Sequence, residues 1–163
     1  MPYKIRQATP ADAEAIVRMH TAAHEECYGH LLPSQFFASC RNSITERVNQ
    51  RRPFLDSKDP RLVAHDEAGA VVGVADAGPG RDPDMAGLPE LYRIYTLSRT
   101  HGSGLGAQLI EAAVGDTPAY LWVLEDNPRA RAFYQKSGFS PDGARKLLPP
   151  DWSELPEIRM VRP

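Results

Sequence analysis

The residues best placed to do chemistry lie in "SRTHGSGLGAQLIEAA", residues 98–113. Gly102, Gly104 and Gly106 fall within five residues, and an apolar helical pattern begins directly after them. Glycines let backbone N–H groups approach an anion closely, and a helix N-terminus adds partial positive charge. The stretch therefore reads as a phosphate cradle, against the plainer reading of a turn that closes a strand onto a helix. A nucleoside triphosphate fits poorly, because GxxxxGK[ST] is absent and no lysine lies near the loop. A dinucleotide fits better, since Gly102, Gly104 and Ala107 match GxGxx[GA] and Glu125 and Asp126 stand where a ribose-binding acid belongs. That fingerprint normally opens a doubly wound sheet. Here only about 55 residues follow it, too few for the second mononucleotide half.

The cradle needs a strand before it and a helix after it, and the chain supplies both. Glu90–Leu97 reads as the strand, and Tyr120–Leu124 as the next one. Upstream, Tyr3–Gln7 reads as a short first strand. Thr9-Pro10 signals a helix start, and Ala13, Ile16, Val17 and His20 keep helical spacing to about His24. A second helix starts after Pro33-Ser34, with Phe37, Cys40, Ile44 and Val48 as one stripe. Arg61–His65 and Ala70–Asp76 read as strands joined by a turn, followed by the Gly- and Pro-rich loop GPGRDPDMAGLP. Asn127-Pro128 opens a helix that Gly138 ends. Phe139 begins a late strand, Pro-rich residues 141–156 read as loop, and Ile158–Val161 reads as the last strand. Hairpins followed by a strand–helix–strand unit predict an α/β fold, a mixed sheet with helices on both faces.

The 163 residues predict a single domain with a real core. A net charge of −2 points to neither a nucleic-acid nor a membrane surface. No apolar run approaches the roughly 20 residues of a membrane span, and the N-terminal stretch lacks the apolar core of a signal peptide. Cys27 and Cys40 lack CxxC spacing and read as free thiols of a cytoplasmic protein. His20 and His24 have the i, i+4 spacing of metal ligands, but no third ligand and no HExxH accompany them. They read as helix histidines near a substrate mouth, and no metal is expected.

Two segments together carry a family resemblance. "LYRIYTLSRTHGSGLGAQLI" is similar to the acetyl-CoA pyrophosphate loop of the GCN5-related N-acetyltransferase (GNAT) family. "LWVLEDNPRARAFYQKSGF" resembles that family's later motif, N-x-x-A-x-x-F-Y-x-x-x-G-F after a strand. The resemblance spans residues 91–139 and implies a GNAT-like, mostly antiparallel sheet. It implies that backbone amides of His101, Gly102, Ser103, Gly104, Leu105 and Gly106 hold the pyrophosphate. It implies that Ile94, Tyr95 and Thr96 pair their backbone with the pantetheine arm. The strand of Tyr120–Leu124 would splay away to admit the thioester, and Asn127 and Tyr134 would flank the arm and the sulfur. The family usually has Gln or Arg at the place of His101, which carries a full charge only at lower pH.

Acyl transfer to an amine needs a neutral amine, a stabilised oxyanion and an acid for the leaving thiolate. On the resemblance, Tyr134 is the acid, against a reading as a core aromatic beside Phe133. Glu90 is the base, against a reading as a solvated charge at a strand end, with Glu125 and Asp126 as rivals. Residues 25–34 and 143–156 would border the acceptor cleft. Their Glu25, Glu26, Tyr28, Asp151, Trp152 and Glu154 suit a cationic amine, and equally an ordinary solvated rim. The implied function is direct transfer of acetyl from acetyl-CoA to a primary amine of a small molecule or peptide. The alternative is an acyl-CoA-binding sensor without turnover. Oligomeric state stays open, a homodimer included.

Overall fold

The computed structural model describes residues 2–163. Seven strands form one mixed sheet: β1 Lys4–Gln7, β2 Arg61–His65, β3 Val71–Pro79, β4 Pro89–Thr96, β5 Ala119–Leu124, β6 Ser140–Leu147 and β7 Pro156–Arg162. Their order is β1-β2-β3-β4-β5-β7-β6. β1–β2, β2–β3, β5–β7 and β6–β7 pair antiparallel, whereas β4–β5 pair in parallel at Glu90↔Tyr120 and Leu91↔Leu121. The described residues form five α-helices: α1 Ala13–Tyr28, α2 Ser34–Asn42, α3 Ile44–Leu55, α4 Leu105–Val114 and α5 Pro128–Lys136. The parallel strands β4 and β5 are joined through α4, the kind of long crossover that parallel pairing requires. No helix of the described residues is long and apolar enough to cross a membrane.

The chain divides into two compact units. One runs to Asp76 and resumes over Arg93–Ala113; the other is Ala77–Tyr92 with Val114–Pro163. In the first, Thr9 precedes a 3-10 turn, Pro10–Asp12, and its N–H donates to the Asp12 carboxylate at 2.8 Å. Arg6 grips the same carboxylate with two bonds of 2.8 Å and pulls its pKa down to about 2. Ala13, Ile16, Val17, Met19 and Ala23 of α1 pack with Val48 and Leu55 of α3 and with Val63 and Val74 of the sheet. Each of the larger aliphatic side chains, Val, Leu, Ile and Met, contributes roughly 1.5–3 kcal/mol when fully buried. The opposite sheet face receives α4. A Cβ on Gly73 would meet Leu109 at 3.1 Å, and Leu105 and Thr96 at 3.3 Å, so a side chain there would displace these groups by a few tenths of an ångström.

The second unit buries Leu91, Tyr120, Leu121, Tyr134, Phe139 and Met160. Arg159, 7% exposed, ties it together with ion pairs to Asp82 at 3.0 Å, Asp84 at 2.7 Å and Asp142 at 2.8 Å.

Three sequence expectations change. α1 continues one turn past His24, to Tyr28. The expected second helix is two helices, broken at Ser43, which adopts φ −105° and ψ 16°. Its hydroxyl and N–H both turn back onto the Cys40 carbonyl, a competition with the helix ladder typical of serine. Residues 141–156 are not all loop, since most of β6 lies there. β6 is an edge strand, exposed along nearly all its length, and its register shifts between Pro141 and Arg145. An edge with a bulge is where a strand tolerates proline, so the composition hid it.

Candidate active site

The glycine-rich loop belongs to the first unit, between β4 and α4. It opens with a 3-10 turn, Ser98–Thr100. The His101 N–H donates to the Ser98 carbonyl at 3.0 Å, and the Ser103 N–H to the Thr100 carbonyl at 3.2 Å. The Leu105 N–H reaches Ser103 Oγ at 3.4 Å. These bonds use three of the six amides expected to face a phosphate. Among the described residues, the N–H groups of Gly102, Gly104 and Gly106 meet no acceptor. Unused donors at a helix start are what an anion would complete. Gly102 and Gly104 have φ of +80° and +90°, a backbone that other residues adopt at a cost. A Cβ on Gly102 would meet nothing within 4 Å, so conformation and open approach, not packing, call for glycine there. The loop is anchored from α1, where Glu26 accepts the Ser98 N–H.

Ile94, Tyr95 and Thr96 occupy an interior strand of the sheet, yet all three are only half-buried. Side chains alternate across a strand. Thr96 faces Gly73 and α4, whereas Tyr95 faces α1. The Tyr95 ring lies 4.3 Å from His20 and 4.9 Å from His24, and its hydroxyl stands 3.5 Å from that of Tyr28. His20, His24 and Tyr28 are spaced by four and form one face of α1. The two histidines thus pack against an aromatic strand residue, and the described residues contain no cluster of three or more His, Cys, Asp or Glu that could hold a metal.

Burial, with the charges of Arg47 and Arg93, pushes His24 down to about 3. An unfolded histidine titrates near 6.5. As pH falls below 6.5, the unfolded chain takes up a proton that folded His24 refuses. Stability is then lost progressively down to pH 3, on the order of a few kcal/mol. Melting temperature measured against pH should fall across that window, and His24→Phe should make the fall shallower.

Two of the acids assigned to the acceptor rim have other partners. Glu25 pairs with Arg41, and Glu26 holds the loop. Both cysteines are free thiols.

The remaining candidates lie in the second unit. Glu90 is not a solvated charge: it is 2% exposed. Arg81 approaches it at 2.6 Å, and the Tyr120 hydroxyl and the Arg81 N–H donate to it at 3.0 and 3.1 Å. Burial pushes the Tyr120 phenol up to about 12. The pairing of Glu90 with residues 81 and 120 left no mark in the sequence, because a loop and a parallel crossover separate the partners. Tyr134 is buried, with its ring 6.2 Å from Phe139 and 5.3 Å from Phe133. Asn127 caps α5, accepting the Ala130 N–H at 3.2 Å. Of the rival bases, Glu125 pairs with Arg145 at 3.1 Å and Asp126 is exposed.

A mixed sheet with a parallel βαβ step, and a glycine loop with three unused amides at the helix start, form an arrangement suited to an anion. The comparisons give the class of protein. The Acetyltransferase (GNAT) domain model matches residues 58–141, so the chain belongs to the GNAT family and is an acyl-CoA-dependent acetyltransferase. It is similar to the uncharacterized N-acetyltransferase YuaI of Bacillus subtilis (strain 168), 28% identical over 144 residues, 85% of this chain and 79% of that protein. An uncharacterized N-acetyltransferase of Mycobacterium tuberculosis is 35% identical over 97 residues, 53% of this chain and 58% of that protein. Among solved structures, the fold matches PaiA N-acetyltransferase of Thermoplasma acidophilum in complex with coenzyme A, with a TM-score of 0.69, 18% identity and 99% of both chains covered. A histone acetyltransferase HPA2 and related acetyltransferase of Corynebacterium glutamicum is 26% identical, with a TM-score of 0.68, over 100% of this chain and 97% of that one.

Proposed function

We propose that the chain is one acyltransferase domain that transfers acetyl from acetyl-CoA directly to a primary amine of a small molecule or peptide. The observation that carries this reading is the set of three glycine N–H groups without an acceptor at the start of α4. A GNAT structure of the same fold holding coenzyme A supports it.

In this reading the amides of Gly102, Gly104 and Gly106 take the pyrophosphate, with His101, Ser103 and Leu105 shaping the loop. The backbone of Ile94, Tyr95 and Thr96 pairs with the pantetheine arm, and a backbone N–H near Tyr95 receives the oxyanion. Asn127 and Tyr134 flank the arm and the sulfur. The thioester supplies the activated acyl carbon. Tyr134 gives its phenol proton to the sulfur as the C–S bond breaks. Glu90 takes the ammonium proton through water, which displaces one of the hydrogen bonds now on its carboxylate. Direct transfer needs no acyl-enzyme.

Incubating the protein with acetyl-CoA and a panel of primary amines should release free thiol and give a product heavier by one acetyl group by mass spectrometry. Coenzyme A binding without thiol release across the panel would instead favour a sensor without turnover.

A further inference from the structure

The α1 face of β4 carries more positive charge than its carboxylates balance. Asp76, at the end of the first unit's stretch of β3, is fully buried. Arg51 of α3 holds it with two bonds, 2.9 and 3.0 Å, and Arg93 of β4 reaches it through Nε at 3.1 Å. Arg47, one turn before Arg51 on α3, donates only to neutral groups, Thr21 Oγ1 at 2.7 Å and the Cys40 carbonyl at 3.1 Å. Two guanidinium groups thus share one carboxylate, and a third, Arg47, bonds only neutral groups beside them.

Two buried polar atoms in this cluster have no partner, Arg51 Nε and His20 Nε2. Arg51 is 8% exposed. Arg93 differs from Arg51 in reaching outward, with a side chain 36% exposed. Its terminal nitrogens meet no acceptor among the described residues. By alternation along β4, Arg93 shares a face with Tyr95, whose ring is against His20 and His24.

We propose that Arg93, with the charge of Arg47 and Arg51, receives an oxyanion carried by the amine acceptor, a carboxylate or a phosphate. The inference rests on the acetyltransferase reading and narrows its substrate class to amines that also bear an acid. A guanidinium fork with two free nitrogens suits a planar oxyanion. The excess positive charge has a second consequence. Burial lowers both histidines most and this charge lowers them further, and the charge would equally favour the neutral, attacking form of an amine held nearby. An anionic group on the same molecule offsets the repulsion that a simple cationic amine would meet there.

The test compares phenylalanine with phenylalanine amide, and phosphoethanolamine with ethanolamine, by thiol release from acetyl-CoA. The acid of at least one pair should exceed its uncharged counterpart in kcat/KM by roughly ten- to a hundredfold, the scale of a hydrogen bond to a charged group. Which pair shows the gap identifies carboxylate or phosphate. Arg93→Gln should collapse the ratio while coenzyme A affinity stays unchanged, and Arg93→Lys should keep part of it. Melting temperatures of both variants check that Asp76, still held by Arg51, keeps the fold. Equal rates within both pairs, or a ratio that survives Arg93→Gln, would overturn the proposal. An activity-free arm runs in parallel: titration with benzoate and with inorganic phosphate should move the His20 ring resonances of histidine-labelled wild type, and not those of Arg93→Gln. Unmoved resonances in the wild type would overturn it as well. Failure of the acetyltransferase reading looks different, with no coenzyme A binding at all.

Discussion

Gly104→Asp abolishes coenzyme A binding and leaves the protein folded. Gly104 has φ +90°, and a Cβ there would meet only Gln108 Nε2, at 3.8 Å. The new side chain therefore has space, and the backbone strain costs about 1–2 kcal/mol. The carboxylate, however, stands in the open mouth where the neighbouring N–H groups would meet a phosphate, and it adds negative charge at a helix start built for an anion. Gly104→Asn separates the two effects. It has nearly the same shape and strain but no charge. Calorimetry should show weakened binding for the Asn variant and none for the Asp variant, while both melt within several degrees of wild type. Equal affinities for the two variants would mean that charge at this position is irrelevant.

Tyr134→Phe and Glu90→Gln should fail in different ways. The Tyr134 ring is held by packing near Phe133 and Phe139, so phenylalanine keeps the packing and removes only the hydroxyl. Stability and coenzyme A affinity should change little. The turnover number should fall by roughly 10² or more, the usual scale for a lost general acid. Glu90→Gln differs because the carboxylate is buried and gripped by Arg81. An amide there faces the arginine with a donor, and a measurable loss of stability accompanies the loss of rate. If Glu90 accepts the ammonium proton, raising the pH supplies neutral amine and partly restores the rate. Alkaline solvent cannot supply the proton missing from Tyr134→Phe, so that variant should show no rescue. A pH–rate profile of both variants with one good acceptor reads the difference. Near-wild-type turnover of Tyr134→Phe would leave that tyrosine a packing residue only. A stability loss in Glu90→Gln without a pH-dependent rate defect would make Glu90 a structural anchor for the loop at Arg81.

What was legible beforehand was local. Glycine spacing, the Asn127-Pro128 start and the Asp66-Glu67-Ala68-Gly69 turn are written within a few residues, and they marked the loop, α5 and the hairpin. What was hidden depended on distant partners. Glu26 holding Ser98, Arg51 and Arg93 sharing Asp76, and Tyr120 bonding Glu90 join residues that are 17 or more positions apart. No periodicity reports such pairs. Nothing local separated a base at Glu90 from a solvated strand end, because polar residues at strand ends usually are solvated. β6 looked like a loop because an exposed edge strand with Pro141 and Gly143 has loop composition. Tyr95 was assigned for its backbone, yet its ring is what ties β4 to the histidines of α1.

The central claim is that the loop at residues 101–106 holds the pyrophosphate of coenzyme A. Isothermal titration of the wild-type protein with coenzyme A and, separately, with NAD tests it most directly. Both ligands carry a pyrophosphate, and the sequence of the loop matches a dinucleotide fingerprint as well. The account predicts a saturable coenzyme A isotherm that is lost in Gly104→Asp, and no NAD signal. Tight NAD binding with no coenzyme A signal would contradict it.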